Sequence, residues 1–205
     1  MQEHWERVYG AKTPDQLSWF RPHLETSLAM IEQATKGNLA ATIIDVGGGA
    51  STLVDDLLNR GFSAITVVDI SQQALDLASK RLGHLGNSVE WVRADITCST
   101  LPHQSLDVWH DRAVFHFLTS PEDRAAYVRC VLSAVKPGGH VIVGTFGPEG
   151  PSKCSGLDVV RYDAEHLHDQ FGSMFHLVES RRELHQTPLG AEQQFVYCYC
   201  TLKSV

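Results

Sequence analysis

Ala41-Thr42-Ile43-Ile44-Asp45-Val46-Gly47-Gly48-Gly49 is the stretch that sets the reading of this chain. Its first part is a short, β-branched apolar run, which suits a strand buried on both faces. The three glycines break that strand. Leu53, Val54, Leu57 and Leu58 then make a helical stripe, and Gly61 stands where a left-handed cap would close it. The unit repeats downstream. Ala64 to Asp69 reads as a second strand, and Ser71 caps a helix carrying Ala74, Leu75, Ala78 and Leu82. A third strand spans Val89 to Ala94 and ends at Asp95; a fourth spans Leu106 to Trp109 and ends at His110-Asp111. Ser120-Pro121-Glu122-Asp123 starts a helix that Lys136-Pro137-Gly138-Gly139 ends, and His140 to Phe146 is a fifth strand. Alternating strands and helices specify an α/β fold with a mostly parallel sheet.

On either side of this core (41–146) the pattern changes. Residues 1–40 are a polar–aromatic arm, with Trp5, Tyr9, Trp19 and Phe20, followed by a helix that Gly37-Asn38 ends. Residues 147–205 begin with a turn-rich loop. They finish with two alternating stretches, Phe175 to Glu183 and Gln193 to Thr201, around Pro188 and Gly190. These read as an antiparallel hairpin added to the sheet. The whole of 1–205 is expected to form one domain.

Composition narrows the function. The 205 residues carry 17 Lys+Arg and 24 Asp+Glu, a formal charge of −7, with 43% hydrophobic and 20% charged residues. An acidic chain repels phosphate backbones, so nucleic-acid binding is not expected. No apolar run is long enough to span a bilayer, and the opening residues lack the pattern of a secretory signal. The five cysteines form no C-x-x-C pair and suit a reducing, cytoplasmic setting. Cys198 and Cys200 read as packing residues of one strand face. Eleven histidines invite a metal reading, but their spacing supplies no ligand set, and no metal is expected.

In open α/β sheets ligands bind beyond the carboxyl ends of the strands. Here those ends carry Asp45 with the glycines, Asp69-Ile70, Asp95-Ile96 and His110-Asp111. Glycine allows close approach to backbone, and Asp69 can accept both hydroxyls of a ribose, at the roughly 20-residue step of nucleotide-binding βαβ units. A dinucleotide fingerprint would need a third glycine where Thr52 stands. A ring of acids suits a cationic ligand better than a pyrophosphate. On these residues the chain resembles the class I, seven-stranded, Rossmann-like S-adenosylmethionine-dependent methyltransferases. The resemblance covers about 40–146 well, and Lys136-Pro137-Gly138-Gly139 matches the family's turn before strand five. It implies a doubly wound α/β sheet and S-adenosyl-L-methionine as cofactor, with S-adenosyl-L-homocysteine as product. It also implies a set of cofactor-binding residues. Asp45, Gly47, Gly48 and Gly49 would lie near the amino-acid end and Asp69 on the ribose. Asp95 would meet the adenine amine, flanked by Ile70 and Ile96.

Methyl transfer is an in-line displacement, and a base is needed only when the nucleophile arrives protonated. His110 and Asp111 stand where the family places a residue beside the transferred methyl, and His116 follows; these are the catalytic candidates, His110 also serving the cofactor. Cys154, Arg161 and Tyr162, in and after the loop beyond strand five, are the candidates for holding the acceptor. Trp19 is expected to cover the cofactor and Trp5 to pack. The motif His4-Trp5-Glu6-Arg7-Val8-Tyr9 is similar to the opening of methyltransferases that modify protein lysines, as is Asp111-Arg112 to their strand-four segment. The leading acceptor is nevertheless a small molecule, because so short a chain leaves little to build a protein-docking surface. A protein-lysine acceptor is the first alternative, followed by a catalytically silent cofactor-binding or interaction protein and, more distantly, a nicotinamide-dependent oxidoreductase. No oligomeric state is implied.

Overall fold

The computed structural model describes residues 1–204; Val205, the last residue of the C-terminal segment, lies outside the described residues. The order is α1 (Gln2–Ala11), α2 (Glu25–Thr35), β1 (Thr42–Val46), α3 (Leu53–Asn59), β2 (Ala64–Asp69), α4 (Gln72–Leu82), β3 (Val89–Arg93) and β4 (Leu106–Arg112). Then follow α5 (Pro121–Ala134), β5 (Val135–Phe146), a ribbon of β6 (Lys153–Cys154) and β7 (Leu157–Asp158), α6 (Ala164–Asp169), β8 (Phe175–Gln186) and β9 (Glu192–Leu202). Seven strands form one sheet in the order β3-β2-β1-β4-β5-β9-β8. The first five are parallel, and β9 and β8 add the antiparallel hairpin.

The sheet is doubly wound because its strands are apolar on both faces. Ile43, Val67, Val108 and Ile142 pack toward α2 and α3, against Met30, Ile31 and Leu53. Ile44, Val68, Trp109 and Val143 pack toward α5 and α6, against Tyr127, Val131 and Leu167. No helix is long and apolar enough to cross a membrane among the described residues. The caps behave as their residue types require. Ser71 and Ser120 accept the Ala74 and Asp123 amides, and Gly61 takes φ +90° after α3.

Two local readings are corrected. The fourth strand does not stop at Trp109 but continues to Arg112, because β5 keeps pairing with it as far as Gly144. His110 and Asp111 are therefore strand residues that face opposite sides of the sheet. The first residues are a helix rather than an irregular arm: Trp5 and Tyr9 stand four apart, and both are buried on one face of α1. His116 sits in a single 3₁₀ turn, Phe115–Phe117.

Candidate active site

The strand order reverses between β1 and β4, and the carboxyl ends around that point enclose a cavity of about 210 Å³. Its floor is Val46, Gly47 and Val68; Asp69 and Ile70 line one side, and Asp95, Ile96 and Thr97 the outer rim. Trp5, Tyr9, Trp19 and Phe117 form the opposite wall with Arg112 and Cys154. A smaller pocket of about 30 Å³ lies beside it, sharing Tyr9, Trp19, Gly47 and Arg112 as walls and adding Asp45, Gly48 and His110.

Gly47 has φ +68°, and a side chain there would collide with Val114. Ala113, at the end of β4, also has a positive φ of 75° and lines the larger cavity. Two adjacent strands thus end in left-handed residues at the same place; glycine takes that conformation freely, and Ala113 carries a strain of the kind that concentrates at functional sites. Gly49 lines neither cavity. Its missing Cβ leaves room for the Asp69 carboxylate and Ala74 instead, so it serves the acid rather than a ligand directly.

Asp69 is buried, and its Oδ1 accepts the Ser71 amide at 2.8 Å. Burial raises its pKa to about 7; the nearby carboxylates of Asp45 and Glu6 push the same way, and the backbone donors only partly offset them. Asp95 is exposed at the rim, where its Oδ1 accepts the Thr97 amide at 3.0 Å and hydroxyl at 2.6 Å. Asp45 and His110 are opposite one another in register, and the His110 Nδ1–H donates to Asp45 Oδ1 at 2.7 Å. In the neutral ring that bond puts the lone pair on His110 Nε2. Nε2 and Asp45 Oδ2 are both buried without a partner.

The other expected site residues are placed differently. Asp111 faces α5 and lines neither cavity. It accepts the amides of Val114 (2.9 Å) and Phe115 (3.1 Å) and the hydroxyl of Tyr127 (2.7 Å), which anchors the turn after β4. Burial still lifts its pKa to about 6. His116 is wholly buried, and its Nδ1 accepts the Phe146 amide at 3.2 Å. Burial first, and then the Arg112 charge, lower its pKa to about 3. It is a neutral packing histidine and a poor proton acceptor, and it too lines neither cavity. Arg161 braces the loop carbonyls of Pro148 and Gly150. Tyr162 packs against Phe115. Of the three acceptor candidates only Cys154 reaches the cavity wall, its thiol pushed up to about 12 by burial.

Sequence reasoning missed the extent of the aromatic wall. Trp5, expected to pack, lines the cavity; its ring lies 5.7 Å from Trp19 and 5.2 Å from Phe117, edge to face. The four-residue spacing of Trp5 and Tyr9 was the available signal. Arg112 was also unassigned. It donates to Tyr197 Oη (3.0 Å), the Trp19 carbonyl (3.2 Å) and Glu183 (3.3 Å), and lies over the Phe195 ring. No histidine, cysteine or acid cluster fit for a metal occurs among the described residues. Cys198 and Cys200 are buried side by side on β9.

S-adenosylmethionine can be set against this geometry. A buried carboxylate ends β2 for a ribose, apolar Ile70 and Ile96 stand where a purine would lie, and buried unpartnered acceptors on Asp45 and His110 suit an ammonium. The residues fit. Residues 43–139 match a family model described as a methyltransferase domain. A ubiquinone biosynthesis O-methyltransferase of Alkalilimnicola ehrlichii is 32% identical over 118 residues, 58% of this chain and 47% of that protein. An eEF1A lysine and N-terminal methyltransferase homolog of Drosophila melanogaster is 25% identical over 68% of this chain and 21% of its own length. The chain spans about half the length of the ubiquinone enzymes it matches. Among solved structures, the N-methyltransferase NodS of Bradyrhizobium japonicum, crystallised with S-adenosylhomocysteine, superposes with a TM-score of 0.70 at 14% identity. That match covers 99% of this chain and 98% of NodS.

Proposed function

From the premise that this chain belongs to the class I S-adenosylmethionine-dependent methyltransferase family, we propose that it moves a methyl group from that cofactor to a small-molecule nucleophile in the cytoplasm. The cofactor would supply a methyl already activated by its sulfonium; the chain's residues have to hold, align and dry the reactants. Asp69 would accept the ribose hydroxyls, Asp95 the adenine amine, and Asp45 the ammonium. Gly47 would let the amino-acid end approach the backbone. His110, steered by Asp45 and carrying a free Nε2, is the side chain best placed to take up a proton. Asp111 and His116 act at one remove, by fixing the turn that carries Val114 and Phe117.

One observation carries the preference for a small acceptor. The wall facing the cofactor's expected methyl end is roofed by α1: Trp5 and Tyr9 are each 9% exposed and Cys154 4%. A side chain on a folded partner would reach that wall only if the roof moved. The protein-lysine reading draws on the same aromatic rings, which can surround an alkylammonium, and on the names of the relatives from animals.

Calorimetry tests the cofactor: S-adenosylhomocysteine is expected to bind in the micromolar range and NAD not at all, and the reverse overturns the reading. Labelled S-adenosylmethionine incubated with a fractionated lysate tests the acceptor. Label in the low-mass fraction supports a small molecule, label on a protein band overturns that choice, and none in either favours a silent binder.

A further inference from the structure

Glu6 lines neither cavity and enters the site described above only as a charge near Asp69, yet its carboxylate takes three hydrogen bonds. Its Oε1 accepts the Gln72 amide at 2.9 Å, and its Oε2 accepts the Ser71 hydroxyl at 2.8 Å and the Gln73 amide at 3.2 Å. Gln72 and Gln73 are the first residues of α4, whose opening amides have no partner inside the helix. The Ser71 side chain serves only the third of them, on Ala74. The cap of α4 is therefore divided between its own serine and a residue of another helix. A carboxylate is the group such a helix start favours, by charge as well as by hydrogen bonding. Burial pushes the Glu6 pKa up, but these donors outweigh it and hold the group below the usual carboxylate range.

Ser71 joins this cap to the ligand cavity. Its hydroxyl is bound to Glu6, and its amide donates to Asp69 Oδ1 at 2.8 Å. One residue thus connects the roof helix to the acid that ends β2. The rest of α1 points the same way: its two buried side chains, Trp5 and Tyr9, both lie in the cavity wall. Gly10 also lies against the side-chain amide of Gln73 on α4.

We propose that Glu6 is a positioning residue that latches α1 onto the start of α4, so that closure of the roof and orientation of Asp69 are one event. The inference rests on the cofactor reading above. A ligand under α1 leaves when the latch opens, and opening also frees Ser71 and with it the Asp69 carboxylate. Roof and ribose site should therefore loosen together rather than separately.

The experiment compares wild type with Glu6→Gln and Ser71→Ala by stopped-flow fluorescence of Trp5 and Trp19 as S-adenosylhomocysteine dissociates. Amide hydrogen exchange of residues 2–11 and 71–74 is followed in parallel without ligand. Glu6→Gln is expected to speed dissociation about tenfold, the worth of one charge-assisted network, and to speed exchange at both α1 and Gln72–Gln73. Dissociation in the double variant should be little faster than in Glu6→Gln alone, since Ser71 acts through the same latch. Unchanged dissociation and exchange in Glu6→Gln overturn the latch while leaving the cofactor reading intact. Additive effects of the two substitutions overturn the joint role of Ser71. If wild type binds no S-adenosylhomocysteine, the cofactor reading fails, and exchange alone then decides: protection at residues 2–11 and 71–74 that Glu6→Gln removes upholds the latch, and its absence removes it.

Discussion

At the scale of single residues, Gly47 and Asp69 bear most of the expected binding, and they do so for different reasons. Gly47 combines a positive φ with a wall position in both cavities. Gly47→Ala would drive a methyl group into Val114 and strain the turn. It should weaken S-adenosylhomocysteine at least about tenfold and cost about 1–3 kcal/mol of stability, checked by calorimetry and urea unfolding of the same variant. Asp69→Ala should weaken the same ligand several-fold without that loss. Removing the carboxyl relieves the cost of burying a charge but leaves the Ser71 amide without its acceptor, so the two effects offset and the melting temperature should move little.

Among the elements, the hairpin of β8 and β9 does more than extend the sheet. Glu183 on β8 receives Arg112 from β4 at 3.3 Å and Arg21 from the segment before α2 at 3.1 Å. Burial works against its charge, and the two guanidinium groups win, holding its pKa below the usual value. Nearby, buried His185 donates from Nε2 to the Ser18 carbonyl at 2.7 Å. The tail therefore fixes the stretch around Trp19 that walls the cavity. Glu183→Ala leaves the buried Arg112 guanidinium without its acid, whereas Arg21 keeps Glu25 at 3.0 Å, and should cost about 3 kcal/mol. Urea unfolding reads the loss, and faster hydrogen exchange at residues 17–21 would locate it. None of this could be read ahead of the structure. The βα alternation was legible because each strand's own residues carry it, and so were the acids that end β1, β2 and β3. The Glu183 pairing joins residues far apart in the chain, and no local pattern encodes it. The length of β4 was missed for a related reason: His110-Asp111-Arg112 looks like loop sequence, and only pairing with β5 makes it strand. The aromatic wall lay between these cases, its spacing visible in α1 but its partners not.

For the whole molecule, the pKa values predict opposed pH dependences. Asp69 (about 7) and Asp111 (about 6) are both raised by burial above the free aspartate range. A carboxyl with a raised folded pKa binds its proton more tightly in the folded state, so these two groups withdraw stability as pH rises from about 4 to 7, while buried His116, held near 3, returns part of it up to about pH 6.5. Every tenfold gain in proton affinity on folding corresponds to about 1.4 kcal/mol per group. Affinity for S-adenosylmethionine should move the other way, rising between about pH 6 and 8 as Asp69 ionises. Thermal melts with and without ligand across this range would show the gap between the two curves widening as pH rises. Ligand-free Asp69→Asn should lose less melting temperature than wild type between pH 5 and 8, and equal slopes would contradict the burial argument.

The cavity is also lopsided, with buried aromatic rings over one end and the exposed Asp95 and partly exposed Thr97 at the other. If adenine lies at that rim, its amine is the part of the cofactor nearest solvent. Analogues could then carry a linker, a dye or a resin at that nitrogen and still seat. Those with a longer alkyl chain on sulfur would run into Trp5 and Trp19. If the chain transfers a methyl group as proposed, trimming one of those two indoles is the way to admit larger groups, and immobilised adenine derivatives are the way to capture the protein.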